Sequence, residues 1–322
     1  MRVNVSAPAR LHLGDLDPFA LGRFGYAPIL AIDEPRTIVE ADEADSLVVH
    51  GVEAEEARVY AQRTLEAFRL KGAEITVRRV APRHSGFGST TQLSLAVGRA
   101  LTQAHGLNPT IFELVRALRR TSTGGLHTFQ HGGFIVSGGF RVKPDENIFL
   151  RNEPFVPPLI FRSDFPDPWR FVLVHPGEAP KSPDGEAEEK AFKALHKHEA
   201  PTDLVHRAYF LLAAKLLPAL MEKDAKAFGS ALTELQITVG RIYLPVQGSI
   251  FNPASQRLIP ILERSGALGI GQSSWGPTVY AFVDSVGAAE RIMDAVRGEV
   301  GSRASVSIVR ADNRGALMRV MS

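Results

Sequence analysis

The stretch Arg83–Leu101, RHSGFGSTTQLSLAVGRAL, sets two glycines among four hydroxyl side chains and runs straight into an apolar pattern of helical spacing. A turn of this kind can hold an anion. The first N–H groups of a helix have no intrahelical acceptor, they sit at the positive end of its dipole, and glycines let a ligand reach the backbone. Ser85, Gly86, Gly88, Ser89, Thr90, Thr91 and Gln92 are therefore candidate phosphate-binding residues. The same residues admit a second reading. Ser89-Thr90-Thr91-Gln92 has the S-x-x-Q spacing of a capping box, in which the protein satisfies those N–H groups itself. No lysine follows the glycines, so the stretch is not a Walker A loop. Two more glycine-rich turns follow, STGGLHTFQHGG (122–133) and LGIGQSSWGP (268–277). In the last, Gln272, Ser273, Ser274 and Trp275 exceed what a plain turn needs, and an indole offers a flat face for stacking. A structural tryptophan is the plain alternative.

The elements around these turns alternate between strand and helix. Residues 2–6 and 10–17 read as strands, as do 26–33 and 37–51, the last with a turn near Asp42–Asp45. In the second of these Arg10, His12 and Gly14 share one face and Leu11 and Leu13 the other. A helix over Glu53–Leu70 and a strand over 74–80 lead into the 85–92 turn, the context an anion-binding turn requires. A further helix spans Asn108–Arg120, with Asn108 as its cap and Pro109 at its first position. Seven prolines between residues 144 and 176 place a domain boundary near Asp164, dividing the chain into 1–163 and 164–322. Residues 181–199 are charge-rich and read as a mobile, solvated segment whose histidines hold no metal. Helices over Thr202–Leu220, Asp224–Val239 and Pro253–Arg264 follow. A strand (Thr278–Asp284), a helix (Val286–Arg297) and a strand (Ser305–Arg310) close an α+β order.

Bulk composition narrows the function classes. The 322 residues are 44% hydrophobic, enough for a sizeable core, and 37 basic against 35 acidic side chains give no general case for nucleic acid or an anionic membrane. Without cysteine there is no disulfide, thiolate metal site or thiol nucleophile. No signal-peptide core opens the chain and no apolar run approaches a membrane span, so a cytoplasmic protein is expected.

A G-x-G-S-[ST] loop between strand and helix in the first half, with a glycine-rich turn before a late strand in the second, resembles the GHMP kinase superfamily. That superfamily includes galactokinase, homoserine kinase and mevalonate kinase. A narrower set, PARLHLGDLD (8–17), GFGSTTQLSLAVGRAL (86–101), HGGFIVSGG (131–139), VQGSIFN (246–252) and GIGQSSWGPTVYAF (269–282), is similar to the β-ribofuranosylaminobenzene 5′-phosphate synthase family. GQSSWGP is its most specific piece. The resemblance implies a two-domain GHMP kinase-like fold, ribosomal S5 domain 2-like in the N-terminal half and ferredoxin-like in the C-terminal half. It implies an enzyme that joins 4-aminobenzoate to 5-phosphoribosyl 1-diphosphate, releasing carbon dioxide and diphosphate, in methanopterin synthesis. Mg²⁺ is expected, with no organic cofactor and no nucleic-acid or membrane partner; a homodimer is compatible with it.

Roles follow from the same resemblance. Arg10 would meet the 5-phosphate or the acceptor carboxylate, and His12 would carry a proton or hydrogen-bond the substrate. Asp15 and Asp17 would hold Mg²⁺ or steady the ribose cation, a solvated turn being the alternative. Gln247, Gln272, Ser273, Ser274 and Trp275 would contact substrate. His127, a further candidate catalytic residue, aligns where many GHMP kinases carry an Asp that acts as base. The loss disfavours a kinase, whereas the synthase's nucleophile is a ring carbon that needs no such base. The synthase pattern more often shows an Asp where Ser137 stands. That leaves open a diverged paralogue, either an ATP-using small-molecule kinase or a non-catalytic phosphometabolite sensor.

Overall fold

The computed structural model describes residues 1–119, 124–142, 155–177 and 185–321. The alternation that starts at Arg2 runs through Pro8 as one strand, β1 (Arg2–His12), antiparallel to a long β2 (Phe24–Ala44). The separate strands expected on either side of residues 34–36 are thus one element. The β1–β2 register shifts between Ala7 and Ala9, where Pro8 has no N–H for the ladder. Opposite it, residues 33–36 of β2 lean toward the C-terminal tail: Asp33 N donates to Arg310 O (3.0 Å) and Asp312 N to Ala31 O (2.9 Å). Here the Arg36 guanidinium pairs with the Asp312 carboxylate, their side chains only 13% and 3% exposed. Arg36→Met is expected to cost about 3 kcal/mol of unfolding free energy, because it strands a buried charge. Urea denaturation checks this; a loss below about 1 kcal/mol would reduce the pair to a surface contact.

β3 (Val48–Gly51) lies parallel to β4 (Gly72–Arg79) across α1 (Ala54–Phe68). α2 (Ser89–Ala104), α3 (Ile111–Leu118) and α4 (Gly125–His131) precede β5 (Phe134–Phe140), which pairs with the first part of β2 and with β6 (Leu159–Ser163). Thr110, not Asn108, caps α3. Its hydroxyl accepts from Glu113 N (3.3 Å) while Glu113 accepts from Thr110 N (2.7 Å), and Asn108 Oδ1 accepts from Arg99 and Gln103 instead.

β7 (Arg170–Pro176), β8 (Gly269–Gln272), β9 (Val279–Val283) and β10 (Ala304–Val309) form a second, antiparallel sheet in the order β10-β7-β9-β8, that of a ferredoxin-like unit. The last strand, β11 (Leu317–Met321), returns to pair with β1. Residues 185–195, expected to be solvated, form α5 (Gly185–Leu195), which buries Phe192 and Leu195. Thr202–Glu222 is helical throughout: α6 (Thr202–Phe210), a π-helical Leu211–Leu216 and α7 (Leu217–Glu222). By length and composition alone it could cross a membrane, contrary to the expectation that no run came close. In this fold Leu211, Leu212, Leu216 and Leu220 enter the core, and Arg207 and Lys215 pair with Glu234 of α8 (Ala225–Gln247).

Among the described residues, three apolar clusters hold these layers. One lies between the first sheet and α1–α3, and includes Val3, Val5, Leu93 and Val97. Another lies between the second sheet and α9 (Ile259–Arg264) and α10 (Val286–Val300). The third joins Leu11, Leu13, Leu30 and Phe134 to Phe171, Leu173 and Phe282 and to Phe228 and Leu235 of α8. The two halves therefore share a core, so groups that meet between them are held from both sides.

Candidate active site

Three successive carbonyls of the 85–88 loop are anchored by the rest of the protein. Ser85 O accepts from Thr278 Oγ1 (2.7 Å), Gly86 O from Ser273 Oγ (2.6 Å) and Arg10 Nη1 (3.0 Å), and Phe87 O from Arg10 N (3.1 Å). A trans peptide points its N–H opposite to its carbonyl, so the N–H groups of Gly86, Phe87 and Gly88 turn away from these anchors. α2 then begins with Gly88 as its cap at φ +71, and its first backbone bond is Gln92 N to Gly88 O (3.2 Å). The N–H groups of Ser89, Thr90 and Thr91 precede that bond, at the positive end of the helix dipole. Together they make a continuous run of backbone donors along the loop and the helix start.

The capping box does not form. Gly88 caps the helix without a side-chain hydrogen bond, and Gln92 is fully buried. Its Nε2 donates to Gly125 O (2.9 Å) and lies 3.4 Å from Thr128 Oγ1, tying α2 to α4. Gln92 thus faces α4 and not the loop. Ser85 contributes its carbonyl, while its hydroxyl donates to Arg83 O (3.0 Å).

Arg10 and His12 leave β1 on the side opposite the buried Leu11 and Leu13. Arg10 lies along the loop, and a Cβ on Gly88 would come within 2.9 Å of its Nε. Beyond the Gly86 carbonyl its guanidinium has no hydrogen-bond or ion-pair partner among the described residues. Burial lowers its pKa to about 10, against the opposing charge of Glu188, so it remains a cation at neutral pH. His12 is pinned by its backbone: its N–H donates to Ser273 Oγ (3.1 Å) and its carbonyl accepts from Ser274 N (3.0 Å). Burial, then the Arg10 charge, push its pKa well below the usual histidine value, so the imidazole is neutral. Its Nδ1 is buried without a partner among the described residues.

The two aspartates separate. Asp17 organises its own loop: Oδ1 accepts from Leu21 N (2.9 Å), and Oδ2 from Gly22 N (2.7 Å), Arg23 N (3.0 Å) and, at 3.5 Å, Tyr209 OH. It is fully buried and both its oxygens are committed to backbone N–H groups of its own loop, so it fits a loop brace rather than the cation ligand expected of it. Among the described residues Asp15 accepts only long bonds, from Asp17 N (3.3 Å) and Tyr243 OH (3.4 Å). Burial chiefly raises its pKa to about 7, with Asp17 and Glu188 adding like charge. Glu188, on α5, accepts from Trp275 Nε1 (3.1 Å). The indole meets Tyr243 edge-on at 4.9 Å and Phe192 at 5.8 Å. Arg10, Asp15, Glu188, Tyr243 and Trp275 thus form one cluster beside the loop, and sequence reasoning missed Glu188, Tyr243 and Thr278.

The glutamines of the late turn are braces. Gln272 Nε2 donates to Gln247 Oε1 and Ser274 O, both at 2.9 Å, and its Oε1 accepts from Asn252 N (2.6 Å). Gln247 Nε2 donates to Ser249 O and Ile250 O, both at 2.9 Å. Both donor hydrogens of each amide are engaged, so neither has one left to donate to a substrate. Ser273, fully buried, links β1, the loop and the turn; Ser274 holds φ +57. His127 Nε2 donates to Pro157 O (2.9 Å) and its ring lies 6.1 Å from that of His131, so its partners lie outside this cluster.

The glycine loop opening α2, clasped by the turn of a ferredoxin-like second sheet, defines a protein of the GHMP kinase superfamily. The GHMP kinases N terminal domain matches residues 55–133 and the GHMP kinases C terminal domain residues 216–302. A homoserine kinase structure from Cytophaga hutchinsonii superposes with a TM-score of 0.68 over 99% of this chain and 97% of its own, at 17% identity. A β-ribofuranosylphenol 5′-phosphate synthase of Archaeoglobus fulgidus is 33% identical over 99% of this chain and 100% of its own. One from Methanothermobacter thermautotrophicus is 31% identical over 98% of each chain. The chain belongs to this synthase family, and is an enzyme.

Proposed function

We propose that the protein transfers the phosphoribosyl group of 5-phosphoribosyl 1-diphosphate to the carboxylate-bearing carbon of a para-substituted benzoate, with loss of carbon dioxide and diphosphate. The observation that carries this reading is the anchored loop, whose N–H groups turn away from three held carbonyls while Arg10 lies along it without an ion-pair partner among the described residues. A diphosphate needs that combination of donors and fixed charge. 4-Aminobenzoate is the acceptor expected from the sequence. The curated relatives are named for a phenol, which 4-hydroxybenzoate would give. Either substituent releases electrons toward the reacting carbon.

The ring carbon bonds to C1 of the ribose as the C1–oxygen bond to diphosphate breaks. The carboxylate then leaves as carbon dioxide, and its bonding pair restores the aromatic ring. Each step balances without a net proton. The loop N–H groups and Arg10 hold the departing diphosphate, and the buried setting strengthens each contact. Trp275 supplies a flat apolar face for the acceptor ring, with Tyr243 packed against it edge-on. His12, neutral with Nδ1 free, hydrogen-bonds the substrate. Asp15, a buried carboxylate in a negative field, and Glu188 fit an oxygen-liganded divalent cation, and Asp17 does not. When bound, Mg²⁺ would neutralise charge on the diphosphate. Asp15→Asn is expected to raise the Mg²⁺ concentration for half-maximal rate about tenfold. Asp17→Asn should leave that concentration unchanged while lowering stability by about 2 kcal/mol, since its one amide oxygen cannot accept from Leu21 on one side and from Gly22 and Arg23 on the other.

The test is diphosphate release with Mg²⁺, the phosphoribosyl donor and each benzoate in turn, beside a reaction with ATP and homoserine. Release that requires a benzoate supports the reading, and the faster benzoate identifies the acceptor. ADP from the second reaction without diphosphate from the first would refute it.

A further inference from the structure

Thr278 is fully buried, and its hydroxyl donates to the Ser85 carbonyl at 2.7 Å. The same oxygen lies 3.0 Å from His175 Nδ1. A threonine hydroxyl has one hydrogen, and a carbonyl only accepts. With that hydrogen committed to Ser85, the second contact runs from His175: Nδ1–H donates and Thr278 Oγ1 accepts. The network therefore assigns the tautomer of the neutral imidazole. Accepting from one side polarises the hydroxyl and strengthens its donation on the other.

His175 stands where it can do this because of its place near the end of β7. It lies two residues after Leu173 on β7, on the face that Phe171 and Leu173 turn into the shared core. Val174 pairs with Val279, which brings His175 beside Thr278, the residue just before β9. On the first-half side, Ser85 is the first of the three anchored carbonyls. Arg10 and Ser273 hold the next two from elsewhere, so Ser85 depends on Thr278 for its hold.

We propose that His175 is a positioning residue of the anion loop: through Thr278 it holds the Ser85 carbonyl behind the loop and so aims the Gly86 N–H at the substrate's diphosphate. The inference rests on the loop reading given above. It does not require His175 to touch substrate. It also holds in either charge state, since the imidazolium keeps its Nδ1–H; burial favours the neutral form.

The test is calorimetric titration of inorganic diphosphate with Mg²⁺ into the full chain and its variants. His175→Leu removes the donor, and His175→Asn places an amide N–H near the position of Nδ1. His175→Leu is expected to weaken diphosphate binding about tenfold, the worth of one buried hydrogen bond. His175→Asn should return it to within about threefold of the parent, with melting temperatures of the two variants alike. Equal binding by parent and His175→Leu would overturn the inference, as would equal weakening in His175→Leu and His175→Asn. If His175→Leu does not fold, Thr278→Val against Thr278→Ser poses the same question, since only serine keeps the hydroxyl. A parent chain that itself ignores diphosphate, as a Gly88→Trp variant should, would instead refute the anion loop.

Discussion

Gly86→Ala is expected to lower kcat/KM at least about a thousandfold and to destabilise the protein by about 3 kcal/mol. Two costs combine. Gly86 has φ +81, where a Cβ costs about 1–2 kcal/mol. The added Cβ would also sit 2.2 Å from the Ser273 carbonyl oxygen, and backbone cannot rotate aside as a side chain can. Ser273 is not free to retreat, because its N–H donates to Thr278 O (3.0 Å) and its hydroxyl holds both Gly86 O and His12 N. The loop must therefore move, and with it go the anchors at Gly86 and Phe87. Steady-state rates and urea unfolding check both parts. Activity above about a tenth of the parent's would show that the loop does not need its anchored position.

Arg10→Met should lower kcat/KM for the phosphoribosyl donor by about a hundred- to a thousandfold, with a smaller effect on the acceptor's KM. The guanidinium has several N–H groups and one protein partner, the Gly86 carbonyl, among the described residues. Its remaining donors are available for two charge-assisted bonds to an anion, at about 1.5–3 kcal/mol each. Arg10→Lys should recover little, because a compact ammonium cannot hold Gly86 O and a diphosphate oxygen together. The sign on His12 can be worked out. Arg10 helps depress the His12 pKa, so its removal moves that pKa upward toward the usual value while burial still holds it down. The acid side of the pH–rate profile in Arg10→Met should therefore move to higher pH. An unchanged profile and an unchanged donor KM would remove Arg10 from the site.

The loop and the strand beside it were legible because their chemistry is local. Glycines before a helix start and an Arg-x-His alternation keep their meaning in any fold. Gln92 was misread for the opposite reason: S-x-x-Q spacing is local, but Gly125 of α4 claims the amide through tertiary packing. Tyr243 was missed because the helix was expected to end at Val239, four residues before it. In the fold α8 runs on to Gln247, and Gly240 is required where the Ile250 carbonyl would lie 2.2 Å from a Cβ. Glu188 was hidden in a charged run that reads as solvated until Phe192 and Leu195 are seen to bury α5. Asp15 and Asp17 are indistinguishable as letters. Only the return of the chain at Leu21–Arg23 engages both oxygens of one and leaves the other with long contacts.

One measurement bears most directly on the reaction: carbon dioxide release from carboxyl-labelled 4-aminobenzoate or 4-hydroxybenzoate, counted against diphosphate in the same tube. Equal amounts of the two, dependent on 5-phosphoribosyl 1-diphosphate and lost in Gly86→Ala, are the predicted result. A ribosylated product that keeps its label, or diphosphate released with no labelled carbon dioxide from either benzoate, would contradict decarboxylating transfer at this site.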